Sequence, residues 1–101
     1  MDASRHYILD GKKVVPTDFV TWSNWFETAD RVIALTETSK GTVSTVFLGL
    51  DHGWGSGGPP LVFETMVFGG KHDQEYQTRC STYEEAEQMH KDALVFLEDN
   101  G

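Results

Sequence analysis

Two apolar runs set the pattern of this chain. Val43-Ser-Thr-Val-Phe-Leu-Gly-Leu50 and Leu61-Val-Phe-Glu-Thr-Met-Val-Phe68 are strand-length and rich in β-branched and aromatic residues, which suit a pleated, half-buried surface. Both predict strands of one sheet. In the second run Leu61, Phe63 and Val67 point one way, while Val62, Met66 and Phe68 point the other. An antiparallel sheet with one wet side alternates apolar with polar residues. Apolar residues on both sides therefore predict a sheet that needs cover on each face. The cover comes from its own helices, from a second subunit in a homodimer, or from a partner at a hydrophobic docking surface.

The flanking pattern supplies the other elements. His6 to Pro16 reads as a hairpin turning at Asp10-Gly11, because both residues tolerate positive φ. Pro16 has no N–H to donate and is expected to end the pairing. Thr17 fits a helix N-cap, and Phe19, Trp22, Phe26 and Ala29 recur at helical spacing with Trp25 beside them. This predicts a helix over about 17–29 with its tryptophans anchored in the core. Arg31 to Thr38 is the next strand, and Ser39-Lys-Gly41 turns into Val43. Gly69 to Asp73 is a turn cluster, followed by a more polar strand, Glu75 to Cys80, suited to a sheet edge. Ser81 and Glu84 match a capping box that opens a helix to about Asp99, with Tyr83, Ala86, Met89, His90, Ala93, Phe96 and Leu97 on its inner stripe. The sum is an α+β fold in one domain over 1–101. An antiparallel sheet, made of an N-terminal hairpin plus a four-strand meander, packs with two helices.

Charge adds a constraint on partners. Sixteen Asp and Glu against eight Lys and Arg give a formal net charge of −8. Such a field repels a phosphate backbone, and the scattered bases form no patch to offset it, so direct nucleic-acid binding is not expected. A basic surface on another protein suits it better. From Asp73 onward eight acids face two bases, a net of −6, and Glu85, Asp92 and Asp99 repeat every seven residues along one helical line. The single cysteine, Cys80, leaves no internal disulfide and fits a reducing compartment. Met1 to Asp10 lacks the apolar centre of a signal peptide, and no apolar run reaches the ~20 residues that span a bilayer. No membrane association is expected.

Several strings carry a resemblance. Val43-Ser-Thr-Val-Phe-Leu-Gly-Leu-Asp-His52, Phe63-Glu-Thr-Met-Val-Phe-Gly-Gly70 and Ser81-Thr-Tyr-Glu-Glu-Ala-Glu-Gln-Met-His90 resemble a group of small phage and prophage proteins with no assigned activity. Tyr7-Ile-Leu-Asp-Gly11 and Trp25-Phe-Glu27 are similar too. The resemblance implies a phage accessory protein acting in the cytoplasm of a bacterial host. The Gly-rich insert after His52 departs from the group's pattern.

Candidate chemistry is sparse. Asp51-His52 and His72-Asp73 offer ligand types that suit zinc or iron. In a meander they sit at opposite ends of the 61–68 strand, roughly 25 Å apart at ~3.3 Å per residue. Each pair alone supplies too few ligands, so no metal or other cofactor is expected. Gly53-Trp-Gly-Ser-Gly-Gly58 leads into a strand rather than a helix and carries no base, unlike a phosphate-binding loop. A Trp54 held out on glycines suits a partner-binding anchor, flanked by Asp51 and His52. Glu64 interrupts an apolar strand and needs solvent or a partner. Equal depths along the sheet and the final helix predict a Glu64–His90 contact, with Arg79 or Arg31 as rival partners for Glu64. No nucleophile or oxyanion arrangement accompanies that pair, so no catalytic residue is assigned.

The reading these features favour is a small acidic accessory protein that acts through protein–protein contact, inhibiting a bacterial host or defence protein. The alternatives are a ligand-binding or enzymatic protein with a pocket under the 51–60 loop, using Asp51, His52, Trp54 and Glu64, and a structural or assembly component of a virion.

Overall fold

The computed structural model describes residues 5–53 and 58–100. Its elements run β1 (His6–Asp10), β2 (Lys13–Thr17), α1 (Phe19–Thr28), β3 (Val32–Thr38), β4 (Gly41–Phe47), β5 (Phe63–Phe68), β6 (Gln77–Cys80) and α2 (Tyr83–Asn100). The β1–β2 hairpin is a sheet of its own, and β3-β4-β5-β6 form a four-stranded antiparallel meander. The architecture is α+β, and both long apolar runs supply central strands.

Alternation assigns the two faces of the meander. On the inner face lie Val43, Thr45 and Phe47 of β4 with Phe63, Thr65 and Val67 of β5, all fully buried. The α2 residues Ala86, Met89, His90, Ala93 and Leu97 are also buried. One apolar cluster joins Phe47, Val62, Phe63, Ala86 and Met89. A second joins Val43, Val67, Ala93 and Leu97. Between them runs a polar belt, because the register Ala34↔Thr45↔Thr65↔Thr78 lines threonines across three strands.

The hairpin and α1 close one end of this core. Trp25 meets Phe47 edge-on at 5.7 Å and packs against the core. No residue of α1 is fully buried, and Phe19 remains 60% exposed. The expected stripe of Phe19, Trp22 and Phe26 instead forms a half-exposed aromatic row, with His6 at one end and the Arg31 guanidinium 3.9 Å over Phe26 at the other. The β1 strand docks on the segment after β4: the Tyr7 N–H donates to the Gly49 carbonyl at 2.8 Å, and the Asp51 N–H donates to that of Arg5 at 3.1 Å. Gly49 has φ +77°, and a Cβ there would sit 2.9 Å from the Trp22 Nε1. Only glycine fits this approach.

Local boundaries depart from expectation by a residue or so, each for a physical reason. Pro16 does not end the hairpin but pairs with Tyr7. The Tyr7 N–H points away from β2 to Gly49, so the pair is a non-hydrogen-bonded one and proline removes no ladder bond. The turn is centred on Gly11-Lys12, with φ +63° at Gly11. Asp18 rather than Thr17 caps α1, accepting from the Thr21 N–H at 2.8 Å, and this bond holds its carboxyl below the usual range. The capping box of α2 is Thr82–Glu85 rather than Ser81–Glu84. The Glu85 N–H donates to the Thr82 Oγ1, and the Thr82 N–H donates to the Glu85 Oε1, each at 3.1 Å.

Candidate functional site

The predicted Glu64–His90 contact does not form. Glu64 lies between the inward-facing Phe63 and Thr65, so its side chain points to the outer face, away from α2. The depths match but the faces do not. The rival partner is the one that binds: Arg79, directly across the β5–β6 ladder, donates to the Glu64 Oε2 from Nε at 3.0 Å, and Gln77 donates to the same oxygen at 2.7 Å.

His90 is instead held by the threonine belt. Its Nδ1 lies 2.8 Å from the Thr45 Oγ1 and its Nε2 lies 2.9 Å from the Thr36 Oγ1, while Thr45 is also bonded to Thr65. In a neutral imidazole one nitrogen donates and the other accepts, and rotating hydroxyls satisfy either tautomer. Burial disfavours the imidazolium and pushes the His90 pKa down. The two bonds run from α2 to β3 and to β4 and so tie the helix to the sheet.

The paired His-Asp motifs also have structural duties. The Asp51 Oδ1 accepts from the N–H of Gly53 at 2.7 Å and that of Leu61 at 2.9 Å. Burial would raise its pKa, but those two N–H groups and the Arg5 charge outweigh it and hold the carboxyl low. The His52 Nδ1 bonds the Leu50 carbonyl at 2.9 Å. His72 lies at the other end of β5 and bridges the Glu75 carboxylate to the Asn100 carbonyl at the end of α2. Those acceptors, the carbonyl first, raise its pKa. Among the described residues no group of three or more His, Cys, Asp or Glu could hold a metal ion. Burial and then Glu85 push the Cys80 thiol up to about 11, which disfavours the thiolate at neutral pH.

Near the 51–60 connection, a cavity of about 260 Å³ is lined by Arg5, His6, Leu50, Asp51 and His52. Glu64 is not part of it. Trp54 lies outside the described residues.

Two extended surfaces remain, one on each side of the molecule. Along the solvent side of α2, Glu84, Glu85, Glu87, Asp92, Glu98 and Asp99 are exposed and Lys91 is the one base of the helix itself, a net of −5 for α2, with Lys12 of the hairpin reaching Glu87 at 4.0 Å. Glu85 is committed to its cap and Asp92 accepts from Gln88 at 2.9 Å. Val95, 55% exposed, sits among the acids. The opposite surface is the outer face of the meander. Val32, Leu35 and Phe68 are exposed there at 51%, 58% and 41%, with Val46 and Met66 half-buried between them. Sequence reasoning anticipated apolar residues on both sides of β5, and Met66 and Phe68 do face outward, but Val62, expected beside them, precedes the strand and is buried in the inner cluster. The placement of both helices away from this face is a tertiary outcome that periodicity does not carry.

Compared with family models, curated proteins and solved structures, the chain finds no match. Among the described residues no helix is long and apolar enough to cross a membrane.

Proposed function

We propose that this chain is a small acidic accessory protein of phage type that acts by protein–protein contact, engaging a basic surface of a bacterial host or defence protein through the solvent side of α2. The observation that carries this reading is the segregation of charge. More than half of the net −8 lies on one helix face, around the exposed Val95, while the far side of the molecule is close to neutral. A negative field of this kind steers a basic partner into register and competes with nucleic acid for the same surface. The role is non-enzymatic and sits in the host cytoplasm.

The test is affinity capture from bacterial lysate with the wild-type chain and an Asp92→Lys/Asp99→Lys variant, which leaves the Glu85 cap intact. A specific basic protein should be retained at low salt, released as ionic strength rises, and lost by the variant. Capture insensitive to both salt and charge reversal removes the reading. The cavity beside His6 and His52 supports a second reading, a small-ligand protein. That reading expects a raised melting temperature with one member of a panel of divalent metals, nucleotides and sugars.

A further inference from the structure

The outer face of the meander is an ordered array rather than a scatter of exposed side chains. The register sets three rows across it. Val32, Val46, Glu64 and Arg79 form the first, and Leu35, Ser44, Met66 and Gln77 the second. Glu37, Thr42 and Phe68 form the third. Glu37, on the β3 edge of the third row, and Arg79, on the β6 edge of the first, are thus opposite corners. The apolar residues lie on the diagonal between them. Glu37 makes no hydrogen bond or ion pair among the described residues, and the Arg79 guanidinium keeps donors beyond the two that reach Glu64.

We propose that this face is covered by a second copy of the chain, packed sheet on sheet about a two-fold axis lying along the diagonal that runs from Val32. Reflection across that diagonal exchanges the two charged corners. Glu37 of each copy then sits over Arg79 of the other, twice per dimer. It also sets Leu35 over Val46 and brings Ser44 and Met66 close to their own counterparts near the axis, so apolar contacts flank a small polar centre. Strands of the two sheets cross near a right angle, one of the two arrangements in which sheets pack face to face.

Charge distribution selects this occupant over a basic protein. The face carries Glu37, Glu64 and Arg79, a net of −1, whereas α2 on the far side carries −5. A basic partner is drawn to α2. Two copies joined through their open faces place both acidic helices outermost, where repulsion between them is weakest. Strands ~4.8 Å apart and rows ~6.6 Å apart give a footprint on the order of 400 Å² per copy, below the ~600 Å² per partner at which standard specific interfaces begin, so the dimer is a weak one that forms at high concentration.

This inference concerns a different surface from the one assigned above, and each can fail alone. Sedimentation equilibrium of the whole chain, from micromolar to millimolar concentration, tests it. Wild type should pass from monomer to dimer. Leu35→Lys, at an exposed site that tolerates a charge, should fold with an unchanged circular dichroism melt and bind itself roughly ten-fold more weakly or worse, because it sets an unpaired charge against Val46 of the other copy. Glu37→Arg should also weaken the dimer. The full reversal Glu37→Arg/Glu64→Arg/Arg79→Glu keeps the internal ion pair and recreates the cross-copy one, so it should restore the association. A wild type that stays monomeric throughout overturns the proposal, as does a dimer indifferent to Leu35→Lys. A full reversal no tighter than Glu37→Arg alone overturns the diagonal pairing. A monomeric wild type whose capture of a lysate protein is abolished by Leu35→Lys assigns the face to that partner instead.

Discussion

The two faces of the meander are built by the same strands from adjacent residues, yet they have different fates. Phe47 and Val46 are neighbours on β4, as are Val67 and Met66 on β5. The inner member of each pair is fully buried under α2 and the outer one only partly covered. The inner face also carries a polar belt in which His90 bonds Thr36 and Thr45, so α2 has a matching seat on the sheet. The outer face has no helix against it, and its charged residues Glu37 and Arg79 stand at opposite corners. Apolar content alone therefore does not decide which side of a strand becomes core. What decides it is whether the chain supplies an element with a matching polar address.

The contrast can be broken by truncation. Phe47→Ala removes a fully buried ring packed edge-on against both Trp25 and Phe63. It should cost about 3–5 kcal/mol in denaturant unfolding. A loss near that of an outer-face substitution would mean that the faces do not differ energetically. His90→Ala tests the belt and should cost about 1–3 kcal/mol, since Thr36 and Thr45 lose their buried partner.

The same residue gives a pH dependence with a definite sign. Burial lowers the folded-state pKa of His90 from its ordinary 6.5. Its contribution is therefore complete above about 6.5 and lost as pH falls towards the folded value. His72 runs the other way: its raised pKa means stability that is present below 6.5 and lost as pH rises through the folded value. In a His72→Gln background the melting temperature should fall on acidification below 6.5, and a further His90→Gln change should flatten that part of the curve. A slope that survives His90→Gln would assign it to other groups. Smaller effects belong to the outer face. Arg79→Ala breaks a half-exposed pair with Glu64 and should cost under about 1 kcal/mol. Leu35→Ser, measured on dilute protein, should change unfolding by no more than about 0.5 kcal/mol.

Much of this was legible in the sequence. The meander follows from strand-length apolar runs punctuated by glycine turns, and α2 follows from its stripe of Ala86, Met89, His90, Ala93 and Leu97. Caps slipped by one residue because neighbouring candidates compete. Thr17 and Asp18 are both capping types, as are Ser81 and Thr82, and geometry chooses the one whose oxygen reaches the free N–H. The error on Glu64 was of another kind. Depth along a strand constrains position, but its period of two assigns the face, and that parity was already written in Phe63 and Thr65. The need for Gly49 could not be read at all, because it arises from Trp22, a residue distant in sequence that approaches the backbone there.

Asp51 has a further consequence for how this molecule can vary. A single carboxylate oxygen receives N–H groups from both ends of the 53–61 connection, so the departure from β4 and the arrival at β5 are cinched together at one point. The sheet senses that knot and not the length of cord beyond it. The chain can thus gain or lose residues between Gly53 and Leu61, and acquire new specificities there, without disturbing the register that both faces depend on.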